Sequence, residues 1–373
     1  MGYEIDFLPV GEESSGGDAI ALRYGNLHGP REEQTVIVID GGYLDDGEAL
    51  VEHIRKYYGT GIVDLVVSTH PDRDHINGLR VVLEQMTVKK LLMHLPWSHS
   101  TDMARAKMIF SLNARALRTE LRDSLQGATD LEEVAKAQGV PIEEPFLDWT
   151  SDDGVLRILG PTEDYYRELL AEIIEPDSTQ EAKKSWEAAI RHMLARMVPE
   201  TLWTETLGED GETSAKNNTS AICLVEVDGR KLLFTGDAGI PALGQALDVL
   251  EDESFQPGSL DFVQVPHHGS RRNVSPSLLD RLLGTKGETA VLGEAFVSAP
   301  KKNEKNKHPA KKTTNAFHRR GYPVYATQGR TIHHSYDAPS RAGYVPLSAL
   351  PPGCVRSHVV RPNRWSASVG WSR

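Results

Sequence analysis

Two hydrophobic rhythms alternate along this chain. Apolar runs of strand length cover residues 3 to 9, 19 to 24, 35 to 39 and 62 to 67. Between the last two, Leu50, Val51, Ile54, Tyr57 and Tyr58 fall at helical spacing and stop at Gly59, a residue suited to a helix C-terminus. A second helix is predicted from Ile76 to Met86, its first turn just beyond His75. From about residue 100 to 210 the pattern is mostly helical. Helices are predicted at Leu112 to Leu125, Leu131 to Ala137, Thr162 to Ile173 and Glu181 to Met197, with one β-like piece at Val155 to Leu159. Strand-like runs return at Ala221 to Val227, Lys231 to Phe234, Phe262 to Val265 and Ala290 to Val297, and Asp228-Gly229 reads as the hairpin turn between the first two. The helical stretch reads as an insertion that either covers a sheet edge or walls a cleft. Residues from 336 onward show no periodicity that assigns them a fold.

Several of the apolar runs end in residues that bind metals. His70-Pro-Asp72-Arg-Asp74-His75, directly after the 62 to 67 run, places four such side chains within six residues. Carboxylate oxygens and imidazole nitrogens are the donors preferred by hard and borderline divalent ions, and a strand end offers a rigid edge from which they can converge. The 35 to 39 run leads to Asp40, Leu232-Leu-Phe-Thr-Gly to Asp237, and Phe262-Val-Gln-Val-Pro to His267, His268, Gly269 and Ser270.

This ordered set resembles the metallo-β-lactamase superfamily, most of whose members read His-x-His-x-Asp-His where this chain has His-x-Asp-x-Asp-His. Asn306-Lys-His308-Pro and Gly321-Tyr-Pro-Val-Tyr-Ala-Thr327 narrow the resemblance to the soluble ComEC-type hydrolases of competence DNA uptake. It covers roughly residues 3 to 335 and is weakest between 100 and 210. The resemblance implies an α/β, four-layer αββα sandwich over residues 1 to 335 with the helical insertion inside it, followed by a C-terminal extension over 336 to 373. It also implies two divalent metal ions sharing a nucleophilic water. His70 and Asp72 would hold one metal, Asp74 and His75 the second, with Asp237 bridging; Asp74 is carried over as a catalytic residue as well as a ligand. From an extended chain His267 and His268 cannot point the same way, so one would complete the second site and the other face substrate. Asp40 is expected to orient a ligand histidine, with a plain structural aspartate as the alternative.

The chain departs from the wider superfamily twice. Asp72 stands where histidine is common, and Asn217-Asn218-Thr219-Ser220 stands where many members supply another histidine, resembling the ComEC branch. Asn218 is therefore a candidate for the substrate side. A first site richer in oxygen suits manganese or magnesium better than it suits zinc.

Net charge is −12, but its distribution is more informative. Residues 301 to 373 hold 14 Lys and Arg against Glu304 and Asp337, while the first 300 hold 27 basic and 51 acidic residues. The tail then faces either an anionic ligand or the acidic remainder of its own molecule. Lys301, Lys302, Lys305, Lys307, Lys311 and Lys312 flank His308, which makes His308 a candidate proton donor at a leaving oxygen and Lys307 a phosphate contact. Ser270 and Arg271 are further candidates for holding a phosphodiester, together with Arg272. Cys223 and Cys354 build neither a disulfide framework nor a thiolate zinc site. His94, His99, His192, His318, His333 and His334 are expected to be surface or packing histidines.

No apolar run has membrane-spanning length and the N-terminus lacks signal-peptide features, so a cytoplasmic protein with no membrane partner is expected. The expected activity is that of a dinuclear-metal phosphodiesterase or nuclease acting on DNA or RNA. A hydrolase of a small nucleotide, thioester or lactone is one alternative. A catalytically inactive binding protein is another, and the intact ligand set argues against it.

Overall fold

The computed structural model describes residues 1–11, 16–99, 119–174, 200–301, 308–342 and 344–353. In chain order its strands are β1 (Gly2–Phe7), β2 (Ala19–Gly25), β3 (Gln34–Gly41), β4 (Ile62–Val63), β5 (Leu65–Val67), β6 (Thr87–Val88), β7 (Leu91–Leu92), β8 (Ile142–Glu143), β9 (Leu156–Gly160), β10 (Ile222–Val227), β11 (Arg230–Phe234), β12 (Phe262–Gln264), β13 (Glu294–Val297), β14 (Val324–Ala326) and β15 (Ile332–Tyr336). One sheet runs β15-β1-β2-β3-β5-β7-β8 and the other β14-β13-β12-β11-β10-β9, while β4 and β6 form a separate pair.

Strand alternation builds the layers. On β3, Ile37 and Ile39 face the second sheet while Val36 and Val38 face helices. On β10, Cys223 and Val225 point inward and Leu224 points to the other helical layer. The first sheet is covered by Leu44–His53, Arg73–Gln85 and the Thr119–Ala137 helix through Leu50, Leu79 and Leu131. Ile240–Asp252, Pro276–Leu283 and Lys311–His318 cover the second through Leu247, Leu279 and Phe317. The result is the expected four-layer αββα sandwich. Its central layer includes four rings, with Phe262 lying 5.8, 5.5 and 5.2 Å from Phe7, Phe234 and Phe296 between centroids.

Five details differ from the sequence reading. The second helix begins at Arg73 rather than Ile76, because Asp72 takes the extended N-cap position, and Asp74 and His75 therefore sit in its first turn. Residues 119–160 supply a covering helix and the edge strands β8 and β9, so much of the stretch read as an insertion is part of the sandwich. The Ala290 run becomes a strand only at Glu294, and β15 was not anticipated at all. Part of the C-terminal stretch also packs. Leu347 and Leu350 lie against the central and outer cores, and Arg341 pairs with the buried Glu4 and Asp6. Among the described residues no helix is long and apolar enough to cross a membrane.

Phe262 is fully buried between the sheets. Phe262→Ala should destabilise the fold by about 3–5 kcal/mol, since the surrounding rings belong to two sheets and cannot collapse into the cavity. Chemical denaturation measures this, and a loss below about 1 kcal/mol would mean that the two sheets close over the gap.

Candidate metal centre

All the motif residues arrive at one edge of the sandwich because their strands end there. β3 and β5 are parallel and lead to Asp40 and to His70 through His75; β11 and β12 are parallel and lead to Asp237 and His267. The antiparallel β2 begins where β3 ends, with Ala19 opposite Gly41, which brings Asp18 to the same edge.

Asp237 lies at the centre. Its Oδ2 is 3.8 Å from His70 Nε2 and 3.5 Å from His267 Nε2. Its Oδ1 is 3.6 Å from His75 Nε2 and 3.8 Å from His268 Nε2. Asp72 Oδ2 joins the first set, 3.5 Å from His70 Nε2, and Asp74 Oδ2 joins the second, 3.7 Å from His268 Nε2. Two groups of two imidazoles and two carboxylates thus share one aspartate.

His267 and His268 both turn inward, contrary to the expectation for an extended chain. Each has left-handed backbone, with φ of 48° and 53°, and the two rings stand 79° apart. With His267 facing Asp237, the first group is no poorer in imidazole than the second.

Hydrogen bonds assign the imidazole tautomers. Asp40 Oδ2 accepts from His75 Nδ1 at 2.7 Å and from the Thr69 hydroxyl at 2.6 Å. Thr69 has spent its only proton on Asp40, so it accepts from His70 Nδ1 at 3.0 Å. Asn273 Nδ2 donates to the carbonyls of Asp237 and Ala238, which turns its Oδ1 toward His267 Nδ1, 3.0 Å away. Asn217 Nδ2 approaches the same nitrogen at 3.0 Å. In the neutral imidazoles of His70 and His75 the lone pair therefore sits on Nε2, the atom that faces Asp237, while Nδ1 of His267 meets an amide oxygen and an amide nitrogen at equal distance.

These residues fit divalent metal ions. Buried Nε2 of His70, His75 and His268 and Oδ1 of Asp237 have no hydrogen-bond partner, an arrangement costly for a protein unless another group binds there. Asp74, His75 and His268 present ligand atoms close enough to share one ion. Asp40 can contribute little to an ion directly, since its oxygens are engaged by Thr69 and His75.

Charge follows the same geometry. Burial opposes ionisation of Asp237, and the four surrounding histidines overcome it, holding its carboxyl below the usual range. Burial likewise opposes protonation of His75, but Asp237 and Asp40 hold it well above the usual histidine range. At Asp72, contacts with His70 and Lys216 outweigh burial and depress the carboxyl. Burial lowers His267 and raises Asp18.

The other candidates divide. His308 is exposed at the rim, its ring parallel to that of His267 with centroids 6.4 Å apart, and its segment is docked by the bond from Ala310 N to Gly269 O. Arg271 is exposed close enough to Lys312 to disfavour its charge, although burial has the larger effect. Ser270 is buried, with its Oγ on Arg272 N, and supports the turn. Asn218 Oδ1 accepts from Gly239 N at 2.9 Å, so it anchors the start of the Ile240–Asp252 helix while its neighbour Asn217 stands beside His267. Lys307 lies outside the described residues, as do Lys302, Lys305 and His192.

Sequence reasoning missed Asp18, Lys216, Gln264 and Asn273. Gln264 bridges the sheets: its Nε2 donates to Asp18 Oδ2 at 2.8 Å and its Oε1 accepts from Thr235 N and Gly236 N. Only Asp18 had a usable sequence cue, its place at the start of a strand pairing with the one that ends at Asp40. His94 is a packing residue as expected, stacked on Tyr166 at 4.4 Å and lowered to about 3 by burial.

No family model matches the chain. It is 21% identical over 348 residues to ComE operon protein 3 of Bacillus subtilis (strain 168), a match covering 89% of this chain and 33% of that protein. The chain is similar to a ComE operon protein. It spans only about a third of that relative's length. Among solved structures, unliganded yeast PDE1 matches 88% of this chain and 98% of its own at 10% identity and a TM-score of 0.42. The metallo-β-lactamase SMB-1 bound to 2-mercaptoethanesulfonate matches 74% and 91% at 9% identity and a TM-score of 0.33.

Two outcomes follow for metal binding. Asp40→Asn should lower affinity for manganese by about 10- to 100-fold in calorimetric titration, because His75 loses its carboxylate acceptor and the Thr69 hydroxyl that holds His70 loses its own; unchanged affinity would show that Asp40 does not orient them. A cation must also displace the proton held on His75. Affinity should therefore rise with pH, about tenfold per unit where one proton is released, and an affinity that is flat between pH 6 and 8 would contradict this linkage.

Proposed function

We propose that this protein is a metal-dependent hydrolase, a phosphodiesterase with two divalent ions that cuts nucleic acid. The observation that carries the reading is the division of donors around Asp237, one carboxylate oxygen facing His70 and His267, with Asp72 beside His70, and the other facing His75 and His268, with Asp74 beside His268. Such a pair of ions, when bound, lowers the pKa of a water and neutralises charge on a phosphodiester. Manganese suits the mixture of carboxylate and imidazole in both groups, with zinc and magnesium as the other candidates.

The chain's own residues do the rest. Asp40 and Asn273 hold three imidazoles with their Nε2 atoms inward. Asp72, Asp74 and His267 are the partly exposed members of the cluster, whereas His70 and His75 are fully buried, so substrate meets the site from the Asp72 and His267 side. His308 stands over that opening beside His267, placed to give a proton to the leaving oxygen. Arg271, Lys311 and Lys312 lie after or beside the same turn and supply positive charge for a polyanion. The ComEC-type resemblance favours nucleic acid over other esters.

Chelation should abolish hydrolysis of a chromogenic phosphodiester and of single-stranded DNA or RNA, with manganese restoring more activity than zinc. Asp74→Ala should reduce both reactions to background while the protein remains folded, and full activity in that variant would sink the mechanism. His308→Ala should slow both by about 100-fold. For nucleic acid, log affinity should fall with log salt at a slope of about 0.7–0.9 per phosphate contacted. A slope near zero, with a small nucleotide, thioester or lactone hydrolysed instead, would transfer the activity to that substrate.

A further inference from the structure

Lys216 belongs to no motif of the sequence, yet its ammonium stands 2.5 Å from Asp72 Oδ1. It is carried by the short helix Ala215–Asn218, whose N-cap Ser214 accepts from Asn217 N. The same turn puts Asn217 against His267 and Asn218 against Gly239 N, so the backbone bearing Lys216 is anchored at the two residues that follow it. Asp72 consequently divides its carboxylate. Oδ1 accepts from Lys216, and Oδ2 is left on the His70 side of the cluster.

Position and charge suggest more than a structural pin. The side chains of Lys216 and Asp72 are 21% and 20% exposed, whereas those of His70 and His75 are at 0%. Lys216 is therefore at the opening. An anionic substrate entering there meets Asp72, Asp74 and Asp237, and Lys216 is a cation held against that carboxylate side by its contact with Asp72. An ammonium has three N–H donors in a tetrahedral arrangement, so it can serve Asp72 and a substrate oxygen together.

We propose that Lys216 is a phosphate-positioning residue, using Asp72 as its support and donating to a non-bridging oxygen of a phosphodiester lying over the first group of ligands. This rests on the phosphodiesterase reading above. It also gives a reason for the carboxylate at position 72, since a histidine there could not accept from the lysine while its other nitrogen faced inward as a neutral ligand. Lys216 and Asp72 would then act as a matched pair.

Two effects of opposite sign distinguish this role from a structural one. Lys216 competes with a metal ion for Asp72 and repels it, so K216Q should bind manganese several-fold more tightly in calorimetric titration without substrate. The same variant should raise KM for the chromogenic phosphodiester by about 10- to 100-fold, the size of one charge-assisted hydrogen bond, with a smaller change in kcat. K216R, which keeps the charge, should restore most of the KM and serves as the control if K216Q folds poorly by circular dichroism. Weaker metal binding with unchanged KM in K216Q would reduce Lys216 to a packing contact and overturn the proposal. If the wild type hydrolyses no phosphodiester, the functional reading fails, and the metal titration alone judges the pairing: unchanged affinity in K216Q would overturn that as well.

Discussion

The buried carboxylate of Asp40 is the constraint on which the centre depends. It accepts from Thr69 N at 2.8 Å, from the Thr69 hydroxyl and from His75 Nδ1, and so ties the end of β3 to the end of β5. One residue thereby fixes the orientation of His75 directly and of His70 through Thr69. In a low-dielectric interior such a network works as a unit. Losing one member leaves a buried donor or acceptor unpaired, which costs more than the bond itself contributes.

The backbone around this network is held in conformations that side chains rarely adopt. Asp40, His267 and His268 all have positive φ, at 55°, 48° and 53°. Non-glycine residues remain there only where their surroundings over-determine the conformation. At His267 and His268 the surroundings are identifiable: His267 is gripped by Asn273, and Gly269 lies so close to Pro309 that a Cβ would fall 2.5 Å from its Cβ. Gly17 is similarly tight, since a Cβ would lie 2.2 Å from the Asp74 carbonyl oxygen. The β2 entry can therefore press against the first turn of the metal-motif helix and deliver Asp18 to the buried side of His75.

Much of this was legible because it is local. Strand-length apolar runs ending in Asp40, His70 to His75, Asp237 and His267 indicated both the sheets and the edge where the site forms. The misses are non-local or conformational. Gln264 and Asn273 are ordinary polar residues in sequence and acquire their roles from neighbours brought in by other strands and turns. The inward turn of both His267 and His268 depends on left-handed backbone that two histidines do not announce. The helix start at Arg73 was misplaced because Asp72 serves both as cap position and as part of the cluster, and the apolar spacing begins only at Ile76. β15 was overlooked because Ile332-His-His-Ser-Tyr336 is polar on the face where His333 reaches the buried Asp6.

The basic tail posed a choice between an anionic ligand and the protein's own acidic residues, and three of its arginines pair with acidic residues of the chain. Arg320 is fully buried and pairs with Glu205 and Asp280; Arg319 pairs with Glu200, and Arg341 with Glu4 and Asp6. These arginines neutralise acidic residues from distant parts of the chain, and their planar forks suit several acceptors at once. Lys301 and Lys311 are exposed, and Lys312 donates to the carbonyl oxygen of Thr206. A flexible, strongly hydrated ammonium contributes little to a core and can track a phosphate backbone from the surface. Arg319, Arg320 and Arg341 thus fasten the last described part of the chain to the sandwich, while Lys301 and Lys311 stay at the surface.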